Sequence, residues 1–139
     1  MKVYFDTNVL IDVFTNRDEE SKLSIFCYRL VLHGLIKGYI NAKQLSDIYY
    51  VLNKNCDNNI AFDSIKTISS LFEVVPYTAK SLINSETEKF NDIEDGSIDN
   101  CAKIFCCDYL ITRNIKDFKT SSNNVLTPKE FITLYKVTN

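Results

Sequence analysis

The stretch VYFDTNVLID, residues 3–12, decides how this chain is read. Val3, Tyr4 and Phe5 are apolar strand formers, and Val9, Leu10 and Ile11 resume the apolar run after Asp6, Thr7 and Asn8. An apolar strand without alternation is one covered on both faces, as in a parallel sheet. In such sheets ligands gather beyond the carboxyl ends of the strands. Asp6 is the first polar residue after the strand, so a carboxylate stands where a site would form.

The pattern repeats outward from this point. Residues 2–5 are predicted as a strand, and Leu10 to about Phe14 as a short helix. Apolar residues at spacings of three and four predict helices over 20–36, 42–54, 59–70, 78–89 and 93–106. Short apolar strands are predicted at 38–40, 71–76, 108–112 and 124–126. In TPKEF, Thr127 is an N-cap, Pro128 takes the first helical position and Glu130 closes a capping box. Helices alternating with buried strands predict an α/β domain with a parallel sheet covered on both faces.

Composition bounds the rest. The 139 residues suit one domain, taken as 1–139, with no repeat or linker. Apolar residues make up 45%, with 9 Phe and 8 Tyr, which excludes a disordered composition. No apolar run approaches the ~20 residues that span a bilayer, and MKVYFD meets a carboxylate too early for a signal peptide. A cytoplasmic protein is the expectation. The five cysteines are odd in number and form no C-x-x-C pair, which argues against disulfides and zinc; Cys106 and Cys107 are read as small packing residues. Net charge is −2, from 18 acids and 16 bases, so no overall basic field draws in nucleic acid. A nucleic-acid role would need local bases or a bound cation.

Acids recur at places that can face one site. Asp6 ends the first strand, Asp47 lies early in the 42–54 helix, and Asp92, Glu94, Asp95 and Asp99 crowd the start of the 93–106 helix. Asp117 follows LITRN, the exit of another strand. Converging carboxylates repel unless a hard cation joins them. Mg²⁺ takes carboxylate oxygens and keeps several waters, and it serves phosphoryl displacement. On a helical wheel Asp47 falls opposite the apolar side, which by periodicity alone is a solvated face. Thr7, Asn8, Thr112 and Asn114 are turn formers or supports for the acids. Asp12 is expected on a helix surface, and His33 is expected to be structural. Lys43, Arg113, Lys116 and Lys119 are candidate phosphate contacts, with Arg113 the best placed.

VYFDTNVLID, AKQLSDIYYVL (42–52), DIEDGSIDNCA (92–102), YLITRNIKDF (109–118) and VLTPKEF together resemble the PIN-domain family over nearly the whole chain. The resemblance implies a three-layer α/β/α sandwich with a short, mainly parallel central sheet. It implies an Mg²⁺- or Mn²⁺-dependent ribonuclease, commonly a VapC-like toxin held by a cognate antitoxin and commonly a homodimer. The family's acids fall on Asp6, Asp47, Asp95 and Asp117, and its supporting residues on Thr7, Thr112 and Asn114. The middle acid is usually Glu, and here Asp47 is one methylene shorter. Gly96 stands where Ala is usual, and Asp99 adds a candidate extra acid.

The reading is therefore a metal-dependent endoribonuclease, with Asp6, Asp95 and Asp117 as metal ligands and Asp47 orienting water. A catalytically weak or inactive PIN-fold binding protein and an RNA-processing nuclease without an antitoxin are the alternatives. A phosphoacceptor receiver domain fails because LFEVVPYTAK has no Asp at its strand exit.

Overall fold

The computed structural model describes residues 1–139. Five strands, β1 (Lys2–Phe5), β2 (Lys37–Asn41), β3 (Glu73–Val75), β4 (Tyr109–Ile111) and β5 (Val125–Leu126), form one sheet in the order β3-β2-β1-β4-β5, every pair parallel. Seven helices connect them: α1 (Thr7–Thr15), α2 (Ser21–Leu32), α3 (Ala42–Asn55), α4 (Asn58–Leu71), α5 (Ala79–Leu82), α6 (Ile93–Ile104) and α7 (Pro128–Thr138). Two 3₁₀ turns, Thr87–Lys89 and Ile115–Phe118, complete the chain.

β1 is central and its residues alternate between two cores. Val3 and Phe5 enter the larger cluster, with Val9 and Leu10 of α1, Ile48 of α3 and Phe131 of α7. Tyr4 enters the smaller one, with Ile98, Cys101 and Ala102 of α6 and Leu110 of β4. Helices thus lie on both faces, which is the expected three-layer sandwich. No helix is long and apolar enough to cross a membrane.

The strand order reverses direction between β1 and β4. Such a switch point opens a crevice at the carboxyl ends of the two strands. Asp6 follows β1 and Thr112 follows β4, and the Asp6 N–H donates to the Ile111 carbonyl at 3.0 Å. The topology therefore places these two polar residues side by side.

Several local expectations are corrected. α1 begins at Thr7 rather than Leu10, because the Asp6 side chain accepts from the Thr7 N–H and caps it. α2 ends at Leu32, where Gly34 takes φ 68° and the Leu35 N–H returns to the Leu30 carbonyl. The 78–89 helix reduces to α5 and a 3₁₀ turn. Asn84 accounts for the break, since its Oδ1 accepts from the N–H groups of Glu86 and Thr87 and so competes with the helical ladder. Cys106 is exposed at φ 53° beyond α6, so it is not a packing residue, whereas Cys107 packs against the smaller core. The Thr127–Glu130 capping box with Pro128 is present as read.

Candidate active site

Asp6 is 6% exposed, and each of its oxygens has one protein partner. The Thr7 N–H donates to Oδ1 at 2.7 Å and the Thr112 hydroxyl donates to Oδ2 at 2.6 Å. A carboxylate oxygen has two lone pairs, so each keeps one for a ligand. The Thr112 hydroxyl also accepts from the Asn114 N–H at 3.0 Å, so its proton is directed at Asp6. Burial raises the Asp6 pKa, the two hydrogen bonds oppose the rise, and the charges of Asp117 and Asp92 add to it.

α6 brings the next acids. Asp92 caps it, accepting from the N–H groups of Glu94 at 2.8 Å and Asp95 at 3.4 Å. Asp95 in the first turn is pushed up to about 7, first by burial and then by the charges of Asp6, Asp92, Asp117 and Glu94. Asp117 is carried on the second 3₁₀ turn. Asp92, Asp95 and Asp117 line one cleft of about 220 Å³, together with Lys89, Lys116, Lys119 and Thr120.

Gly96 follows Asp95 because α6 runs against the backbone of the first 3₁₀ turn. A Cβ at Gly96 would stand 2.9 Å from Thr87 Cα. The glycine that departs from the family pattern thus permits the close approach that seats Asp95.

A buried network behind the site went unread in the sequence. Gln44 donates to the Phe5 carbonyl at 2.8 Å and to Thr7 Oγ1 at 3.3 Å, while Tyr4 and the Asn41 N–H donate to Gln44 Oε1 at 2.8 and 2.9 Å. Asn41 caps α3 through its own capping box with Gln44. This network fixes the backbone on either side of Asp6. Asn41 and Gln44, three residues apart at the end of a strand, were the available signal.

Other expectations change. Asp12 is fully buried, not on a helix surface. It accepts from Arg17 at 2.6 Å, from Ser24 at 2.9 Å and from Arg113 at 2.9 and 3.0 Å. Arg113, read as the best-placed phosphate contact, is taken up by Asp12, Asp18 and Glu20. Lys43 likewise spans Asp47 at 2.8 Å and Glu94 at 2.6 Å. Asp47 therefore stands paired with Lys43. Asp99 is buried on the side of α6 that meets residues 121–123, where Ser121 and Asn123 donate to its Oδ1 and its Oδ2 has no partner. It anchors that loop and does not line the acid cleft. The Asn8 side chain accepts from the Arg113 N–H at 3.5 Å, and Asn114 is exposed.

The donor set of the cleft is all oxygen and its acids repel one another, which fits Mg²⁺ or Mn²⁺. No three His, Cys, Asp or Glu side chains close into a ready-made metal cage. The two facts agree for a cation that keeps several of its waters and takes few direct protein ligands.

Residues 2–116 match the PIN domain family. The chain is 32% identical over 135 residues to ribonuclease VapC1 of Aquifex aeolicus (strain VF5), covering 94% of this chain and 92% of that protein. Among solved structures, DNA-bound VapBC from Salmonella typhimurium superposes with a TM-score of 0.68 at 18% identity, covering 92% of this chain and 98% of that one. VapC20 of Mycobacterium tuberculosis, a sarcin-ricin loop cleaving toxin, gives a TM-score of 0.59 at 14% identity over 78% of this chain and 86% of that one. At these identities the structural likeness establishes the shared fold.

Proposed function

The chain belongs to the PIN-domain family, and from that premise we propose that it is a cytoplasmic endoribonuclease that hydrolyses RNA phosphodiester bonds with Mg²⁺ or Mn²⁺. We assign it as the toxin of a toxin–antitoxin pair, acting as a homodimer. The observation that carries the reading is the mutual charge of Asp6, Asp92, Asp95 and Asp117 at the switch point between β1 and β4. The ribonuclease relative supports the activity, and DNA-bound VapBC from Salmonella typhimurium and a toxin–antitoxin complex from Klebsiella pneumoniae support the antitoxin partner.

Asp6, Asp95 and Asp117 would hold the cation together, in part through the waters it keeps. When bound, it supplies charge for the phosphoryl oxygens and lowers the pKa of the attacking water. The chain's own residues do the rest. Thr112 and the Thr7 N–H fix the Asp6 carboxylate, and Asn114 fixes Thr112. Gln44 holds Thr7 from behind. Asp47 pairs with Lys43, which also holds Glu94, and from there it would orient the incoming water.

The test is cleavage of a structured RNA with Mg²⁺ or Mn²⁺ by the wild type, Asp6→Asn and Asp95→Asn. The wild type is expected to cleave, and each variant to lose ~10²-fold or more. Equal cleavage by all three removes the assigned site. A wild type that neither cleaves nor binds Mn²⁺ by calorimetry is a PIN-fold binding protein instead.

A further inference from the structure

The acid cleft carries bases on two facing walls. Lys89 comes from the end of the first 3₁₀ turn, and Lys116 and Lys119 from the second and its exit. The walls are locked together: the Phe90 and Phe118 rings meet edge to face at 5.8 Å, and the Thr120 hydroxyl donates to the Lys89 carbonyl at 3.4 Å. Asp99 secures the following segment through Ser121 and Asn123. The lysine stems therefore rise from fixed backbone.

Their ammonium groups are available. Lys116 and Lys119 are exposed and lie within 4 Å of no carboxylate. Lys89 touches only Glu86, at 3.3 Å, with 53% of its side chain exposed. Lys43 and Arg113 are by contrast committed to acids. A phosphodiester approaching Asp92, Asp95 and Asp117 meets repulsion from a chain of net charge −2, so cations on the cleft walls are what make approach favourable. The cleft, at about 220 Å³, falls below the ~300–1,000 Å³ of pockets that enclose a whole small ligand. It suits one sugar-phosphate unit of a single strand.

We infer that Lys89, Lys116 and Lys119 form a phosphate clamp that grips single-stranded RNA backbone beside the acid cluster. The inference rests on the ribonuclease reading for its substrate but is separable from it by experiment. A fluorescein-labelled single-stranded RNA is titrated, in Ca²⁺, against the wild type, Lys116→Gln/Lys119→Gln, Lys89→Gln and a control, Lys54→Gln/Lys129→Gln. Each lost contact is expected to make the slope of log K against log salt shallower by ~0.7. The double variant should lose about 1.4 of slope and roughly tenfold in affinity. Lys116→Arg/Lys119→Arg should bind as the wild type does, and the control should be unchanged. An unchanged slope in the double variant, or an equal loss in the control, overturns the clamp. Cleavage in Mg²⁺ is scored separately, so cleavage without a lysine effect overturns only the clamp, and a lysine effect without cleavage overturns only the nuclease.

Discussion

Arg113 Nη1 donates to both oxygens of Asp12, at 2.9 and 3.0 Å, although 101 residues separate the two in sequence. Nη2 of the same guanidinium reaches Asp18 at 2.9 Å and Glu20 at 3.0 Å. The hub ties α1, the connection to α2 and the exit of β4, one residue beyond Thr112. A buried charge that loses its partner costs about 3–5 kcal/mol. Asp12 keeps Arg17 and Ser24 when Arg113 is removed, so Arg113→Ala is expected to lower stability by less than that, about 1–3 kcal/mol, seen in urea unfolding as a lower midpoint at unchanged m-value. Arg113→Lys is expected to recover little of the loss, because one ammonium cannot serve three carboxylates held by a planar fork. A midpoint unchanged in Arg113→Ala would show the hub to be dispensable.

Gly96→Ala separates helix propensity from packing. In an open helix the change gains up to about 1 kcal/mol. Here the new Cβ would meet Thr87 Cα at 2.9 Å, and backbone yields less readily than a side-chain tip. The substitution is expected to destabilise the chain and to lower cleavage, because α6 carries Asp95 in its first turn. Thermal melts alongside RNA cleavage decide it. A higher Tm with full activity would mean that the 3₁₀ turn moves aside freely.

The strands were legible because each is short, apolar and bounded by polar residues, and the placement of Asp6 followed from one of them. Periodicity could not tell that Asp12, beside the apolar side of α1, is buried as well: it reads as surface because its partners Ser24 and Arg113 come from other elements. Arg113 was misread for the same reason, since charge alone does not reveal an acid partner distant in sequence. Asn84 broke the 78–89 helix through side-chain bonds to the backbone that apolar spacing does not record. That Asp95 and Asp117 face one cleft was legible from their positions after a helix start and a strand exit, but Lys89 needed the Phe90–Phe118 contact to bring it to the same cleft.

Asp95 makes the metal-free chain pH-sensitive in a stated direction. Its pKa rises from an ordinary 3.8 to about 7 through burial and the neighbouring acids. Between those values the folded chain keeps a proton that the unfolded chain has released, so stability falls as pH rises through that window. Asp6, also raised, acts in the same sense. In EDTA the wild type is expected to melt at a higher temperature near pH 5 than near pH 8, with a smaller difference in Asp95→Asn. Affinity for Mg²⁺ or Mn²⁺ should rise through the same window, since the cation competes with the proton. Equal pH dependence in the wild type and Asp95→Asn would place the shifted group elsewhere.

Asp47 is expected to matter less than Asp6, and for a visible reason. Lys43 contacts both Asp47 oxygens, at 3.1 and 2.8 Å, and also holds Glu94 at 2.6 Å. Burial works against the charge on Lys43, but its hydrogen bonds to Asp47 and Glu94 outweigh that and raise its pKa. A carboxylate engaged in this way is already offset by its ammonium partner. Asp47→Asn is expected to lower kcat by about tenfold, below the ~10²–10⁴-fold of a full general base. Asp47→Glu restores the usual family side chain and should cleave at least as fast as the wild type, since the added methylene extends reach while Lys43 can follow. Lys43→Gln, which frees Asp47 from its ammonium partner, should leave cleavage within about tenfold. Single-turnover rates for the three variants beside Asp6→Asn measure this. A loss in Asp47→Asn as large as in Asp6→Asn would place Asp47 with the acids that touch the reacting phosphate.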